Sequence, residues 1–199
     1  MLSSLNLFRL CMMLVLAFTV FGLNKVHNDH ELKIKEPEVV AKEVDEKQLQ
    51  CLADNIYHEA GSESIEGKAA VARVVLNRIM HGGFGNTPCK VIYQSHRVKH
   101  INDETSEMFW KTVCQFSWVC ENKKVQNKNT ERYQSSLQVA YDVLAYDAYS
   151  DLLPKSVLFF HNKTVVNTWP HEVVKVIGNH IFYKKKPHVK RNKTNGVKS

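Results

Sequence analysis

The sequence predicts an α+β domain, mostly helical with a small β element, set behind an apolar leader. Three observations predict it. Two apolar patterns of helical period, at residues 49–60 and 65–80, are joined by a short glycine turn. A third pattern of the same period covers residues 131–151. Short runs rich in Val, Ile, Phe and Tyr follow it, two of them separated by Gly178-Asn179, a hairpin signal.

A length of 199 residues suits one globular domain with a leader. Lys and Arg number 27 against 20 Asp and Glu, a formal charge of +7. Such a balance suits a polyanion, whether nucleic acid, an anionic membrane face or a bacterial wall, and does not choose among them. Residues 1–23 read as a signal-anchor or signal peptide. Arg9 precedes an almost unbroken apolar run from Leu10 to Leu23, the pattern of an export segment. The run is shorter than a usual membrane span, and no clean Ala-x-Ala site follows it, which favours an uncleaved anchor over a removed peptide. Residues 24–47 are charged, with Pro37 among them, and read as an extended, solvated linker. The folded domain is expected over 48–184. A basic tail, 185–199, follows it. The tail's ordinary reading is a frayed, solvated terminus, and its alternative is attachment to a polyanion.

The first helix carries Leu49, Leu52, Ala53, Ile56, Tyr57 and Ala60 on one stripe and ends at Gly61-Ser62. Glu59 projects about 20° from Leu52, at the edge of that stripe. A carboxylate there sits at the negative end of the helix dipole, half in the core. Both features disfavour ionisation and raise its pKa, as a general acid requires. The competing reading is an ordinary surface glutamate. The second helix, Ile65 to Met80, has Ser64 as its cap and is apolar on most faces, as the central buried helix of a domain would be. His81-Gly82-Gly83 stops it. The third helix, Glu131 to Asp151, presents Tyr133, Leu137, Ala140, Tyr141, Leu144 and Ala148, and Pro154 follows its end. Strands are expected at Val157–Phe160, Val173–Ile177 and His180–Tyr183.

Cys11 lies in the leader, which leaves Cys51, Cys89, Cys114 and Cys120. An even set in an oxidising compartment reads as two disulfides, and no spacing resembles the C-x2-C of a zinc site. Antiparallel packing of the first two helices brings Cys51 towards Cys89. Cys114 and Cys120 then pair across the Gln115–Trp118 loop, which makes this pairing preferred among the three possible. The scattered histidines His81, His96, His100, His161 and His171 show no metal-ligand spacing, so neither a metal nor another cofactor is expected.

Four segments in order resemble the cell wall hydrolase family that includes the spore cortex-lytic enzymes. They are Cys51 to Ala60 (CLADNIYHEA), Ala70 to Arg78 (AVARVVLNR), Val91-Ile92-Tyr93-Gln94 with Cys114-Gln115-Phe116-Ser117-Trp118, and Ile177 to Tyr183 (IGNHIFY). The resemblance covers residues 49 to 184. It implies a lysozyme-like or lytic-transglycosylase-like fold and cleavage of peptidoglycan between N-acetylmuramic acid and N-acetylglucosamine. It also implies that Glu59 is the catalytic glutamate, the first of a Glu-Ala-Arg-Gly-Glu motif whose second Glu is Glu63. The chain departs from that motif at Gly61 and Ser62, which replace Arg-Gly.

A lytic transglycosylase needs one carboxyl, which protonates the leaving oxygen and then takes the proton of the attacking muramic C6 hydroxyl. That double role is expected of Glu59. A hydrolytic muramidase or glucosaminidase needs a second carboxylate. Glu63 is the nearest in sequence, and its competing role is to cap the second helix. Tyr93, Gln94, Gln115, Ser117 and Trp118 offer aromatic faces beside amide and hydroxyl groups, which suits a sugar ring. Their competing reading is core and turn residues. Asn179 and His180 read equally well as turn and strand residues. The expected partners are peptidoglycan and, through the N-terminal segment, a membrane. Nucleic acid is not expected, because no binding module is present and the leader directs the chain outward. The expectation is an exported monomer, membrane-anchored, periplasmic or extracellular. An inactive wall-binding protein is the rival from another class. A stem-peptide amidase or peptidase is the rival enzyme, and it would need a zinc or Cys-His site that the sequence does not assemble.

Overall fold

The computed structural model describes Met13, residues 40–166 and residues 168–186. Apart from Met13, the leader with Cys11 and the linker up to residue 39 lie outside the described residues, as does the tail from residue 187. The chain divides between Val39 and Val40, and the elements from Glu46 onward belong to the second unit.

Helix α1 spans Glu46–Ala60, with the Asp45 carboxylate accepting from the Gln48 amide at 2.9 Å. The expected linker does not run free up to residue 47. The Lys42 amide donates to the Ala145 carbonyl at 2.9 Å, and Val44 packs on the core. A single apolar side chain and one backbone hydrogen bond dock this stretch, which its charge-rich composition hides. Helix α2 spans Ile65–His81 and is capped by Ser64, whose hydroxyl accepts from the Gly67 amide. A short helix α3, Pro88–Ile92, follows, capped by Thr87.

Strands β1 (Ser95–Ile101) and β2 (Met108–Cys114) form an antiparallel hairpin in register from Ser95↔Cys114 to Ile101↔Met108. Period and composition assign it no structure. Nearly every residue of it is exposed on both faces, so no inward–outward alternation marks it. Helix α4, Ser117–Cys120, is a single turn within what reads in sequence as a loop. Helix α5 spans Glu131–Tyr146. It ends five residues before the periodicity does, because Asp147 turns left-handed (φ 52°) and the Ala148 amide returns to the Asp142 carbonyl. Strands β3 (Val157–Asn162), β4 (His171–Ile177) and β5 (His180–Lys185) form one antiparallel sheet in the order β3-β5-β4. Gly178 (φ 54°) and Asn179 make the β4–β5 turn.

Helix α2 is apolar on most faces because it is covered on two sides. Ala69, Ala72 and Val75 join a core with Leu52 and Ile56 of α1 and Tyr133, Val139 and Ala140 of α5. Ala70 and Val74 join a second core with Leu153, Val157, Ile177 and Phe182 on the sheet side. The helix thus lies between a helical layer and a small sheet, an α+β arrangement. Its buried polar side chains tie it to the segment after α5. Arg73 pairs with Asp147 at 2.5 Å, Asn77 donates to the Pro154 and Val157 carbonyls at 3.0 Å, and Arg78 Nε donates to the Leu158 carbonyl at 2.9 Å. Two disulfides are present among the described residues. Cys51–Cys89 joins α1 to α3, and Cys114–Cys120 joins the end of β2 to α4.

Candidate active site

Glu59 lies in the last turn of α1, half-buried, where two cavities of about 620 and 600 Å³ meet. Both cavities are lined by Glu59 and Ser117. The first runs past Tyr57, His58, Trp118 and Arg132 to Lys123 and Lys124. The second runs past Arg78 and Gln115 to Phe159, Phe160, Trp169 and His180. A carboxyl therefore sits midway along a two-lobed groove.

The chemistry of that carboxyl follows from its surroundings. Burial pushes the Glu59 pKa from 4.5 up to about 7, with nearby Glu121 adding to the rise and Arg78 and Lys123 opposing it. No hydrogen bond or ion pair reaches its carboxylate among the described residues. Arg78 is 5% exposed and lies between the Phe84 and Phe116 rings, 5.3 and 5.1 Å from their centroids. Burial draws its pKa down to about 10 against the attraction of Glu59, and its Nη1 is buried without a partner. A group with a pKa near 7 gives and takes a proton with similar ease at neutral pH.

Of the residues that the sequence suggests, Glu59, Gln115, Ser117 and Trp118 line the two-lobed groove. Tyr93 lines a smaller recess beside Trp118 and Lys123. Gln94 lines neither lobe, and its carbonyl accepts from the Gln115 amide at 3.0 Å. Glu63 is elsewhere. Past the turn at Gly61 the chain has reversed, and its carboxylate accepts from the Asn179 backbone amide at 3.2 Å and side-chain amide at 2.8 Å. It neither lines the groove nor caps α2, whose cap is Ser64. Trp118 is wall rather than platform. It is 6% exposed, its Nε1 donates to Asn55 Oδ1 at 3.0 Å, and the His58 ring is stacked on it at 4.5 Å. Asn179 serves the turn and grips Glu63, whereas His180 lines the second lobe, where burial lowers its pKa.

Sequence reasoning missed Arg78, Arg132, Trp169 and the Phe159–Phe160 pair. Arg78 carried a signal. It extends the buried positions Val71, Val74 and Val75 of α2, and a charge in a core stripe needs a reason. Trp169 stands in a loop with no period to flag it. Arg132 answers the departure at Gly61. Its guanidinium lies 4.6 Å above the Tyr57 ring and donates to the Tyr57 carbonyl at 3.1 Å. A Cβ at Gly61 would overlap both that guanidinium and the Tyr57 carbonyl oxygen, so the close approach of Arg132 requires glycine there.

No group of three or more His, Cys, Asp or Glu side chains is arranged to hold a metal among the described residues. No helix among them is long and apolar enough to cross a membrane. No curated protein matches the chain. Among solved structures, the catalytic domain of the SleB protein of Bacillus cereus is similar, at 22% identity and a TM-score of 0.47 over 74% of this chain and 97% of that one. A family model described as cell wall hydrolase matches residues 62–183, beginning just after Glu59. That match spans more than half of the 199 residues and takes in both disulfide-bonded α4 and the β3-β5-β4 sheet, so this chain belongs to the cell wall hydrolase family, enzymes that act on peptidoglycan outside the cytoplasm.

Proposed function

We propose that the protein cuts peptidoglycan glycan strands between N-acetylmuramic acid and N-acetylglucosamine as a lytic transglycosylase, with Glu59 as both acid and base. The observation that carries this reading is a carboxyl with a pKa of about 7 at the junction of two cavities. A strand laid along both lobes puts one glycosidic bond over Glu59. The protonated carboxyl gives its proton to the leaving oxygen as the C1–O bond breaks. The resulting carboxylate takes the proton of the muramic C6 hydroxyl as its oxygen bonds to C1, which closes a 1,6-anhydro ring and restores the acid.

The neighbouring carboxylates support a single-acid reading. Glu63 is engaged by Asn179. Glu121 lines the first lobe, but a hydrogen bond from Lys123 holds its pKa below the usual carboxylate range, which makes it a weak base. A hydrolytic muramidase or glucosaminidase is the second reading, favoured only by the presence of that ionised Glu121 in the same lobe. The proposal takes residues 48–184 as a lysozyme-like catalytic domain that works as a monomer. Residues 1–23 export or anchor it, and residues 24–47 serve as its tether.

Mass spectrometry of digested peptidoglycan tests the reaction. Anhydromuramyl ends are expected, whereas new reducing ends would move the assignment to hydrolysis. Glu59→Gln is expected to slow release of fragments by about 10²-fold or more. Equal and negligible clearing by the variant and the wild type would instead describe an inactive wall-binding protein.

A further inference from the structure

The two lobes that meet at Glu59 differ in character. The second presents Phe159, Phe160 and Trp169, aromatic surfaces that suit the uncharged faces of a sugar, and its cation, Arg78, is 5% exposed, packed on Phe84 and Phe116 and attracted by Glu59. The first presents the cations Lys123, Lys124 and Arg132. Lys123 is paired with Glu121, but Lys124 and Arg132 have no ion-pair partner among the described residues. Arg132 is held in place by the Tyr57 ring and carbonyl rather than by a carboxylate. Its five-donor fork therefore keeps hydrogen-bonding capacity for an anion. The field of Lys123 and Arg132 reaches the groove, since both add to the lowering of the His58 pKa that burial dominates, against the opposing charge of Asp54.

Peptidoglycan carries its charge on one sugar only. N-acetylglucosamine is neutral, whereas N-acetylmuramic acid bears a lactyl group and, through it, a stem peptide with several carboxylates. Resting on the glycan-strand reading above, we infer that the first lobe takes the muramyl residue, with its stem-peptide carboxylates against Lys124 and Arg132, and that the second lobe takes the neutral sugar. The strand then crosses Glu59 in one polarity, and strands that bear stem peptides are preferred to stripped ones. Arg132 and Lys124 act as specificity residues that touch the substituent, not the bond that breaks.

The test compares initial rates on two preparations of the same strands, one with intact stem peptides and one stripped of them by an amidase, with the lactyl carboxylates that the amidase exposes then capped as neutral methyl amides. The wild type is expected to favour the peptide-bearing strands by about tenfold, the worth of one or two charge-assisted contacts, chiefly through KM. That preference should shrink as salt is raised. It should collapse towards unity in a Lys124→Gln/Arg132→Gln double variant and survive in Arg132→Lys, which keeps the charge. Equal rates on both preparations by the wild type, or a preference unchanged in the double variant, overturn the inference and leave the glycan-strand reading standing. Failure of the wild type to cut either preparation overturns the glycan-strand reading itself.

Discussion

Asn179 holds both oxygens of the Glu63 carboxylate, one through its backbone amide at 3.2 Å and the other through its side chain at 2.8 Å. Four residues earlier, Glu59 has no such partner and is half-buried instead. Two glutamates of one turn are thus sorted by their surroundings. The first keeps a mobile proton, and the second pins the β4–β5 hairpin to the α1–α2 turn.

Glu59 should weaken the fold when ionised. Its folded pKa of about 7 lies above its ordinary 4.5, so the native state holds the proton more tightly than the unfolded chain does. The associated stability is fully present below about pH 4.5 and is lost as the pH rises through about 7. Glu59→Gln, which cannot ionise, is expected to be more stable than the wild type by about 2–3 kcal/mol at pH 9, with the gap closing towards pH 4. Denaturant melts of both proteins across that range measure it, and parallel curves would contradict it.

The same proton predicts a pH–rate limb. In the proposed mechanism the acid form starts the reaction, so kcat/KM should fall above about pH 7. Glu121→Gln removes a negative charge that helps to raise the Glu59 pKa, so this limb should move to lower pH by less than about one unit while activity persists. If cutting is abolished at every pH, Glu121 is the base of a hydrolytic reaction.

Trp169 is expected to hold substrate. It lines the aromatic lobe and is 46% exposed there. Trp169→Ala should raise KM for glycan strands by about tenfold, with a smaller effect on kcat. Steady-state kinetics on soluble strands separates the two constants, and an unchanged KM would remove Trp169 from the site.

The disulfides should differ in weight. Cys51 and Cys89 are 38 residues apart and Cys114 and Cys120 only 6. Loop-closure entropy makes the first the larger contributor, by about 1.5 kcal/mol. Replacing both cysteines of each pair by serine and comparing denaturation midpoints tests the order. Loss of Cys114–Cys120 should also lower activity, because that bond anchors α4, which carries Ser117 into the groove.

Local pattern made much of this protein legible. The stripe from Leu49 to Ala60, the Ser64 cap, the all-round apolar α2 and the Gly178-Asn179 turn are written at periods of a few residues, where backbone geometry alone assigns them. The same helical phase put Glu59 at the edge of the core, and the family motifs pointed to it as well. Only tertiary structure decided what surrounds that carboxyl. Arg78, Ser117, Arg132 and Trp169 come from four separate segments, and no spacing along the chain encodes their meeting. The fate of Glu63 and of the Trp118 faces was likewise set by neighbours distant in sequence, Asn179 for the first and Asn55 and His58 for the second. A period reports which face of an element is buried. Which groups it is buried against depends on how the chain folds back, and it is those groups that hold or release a proton.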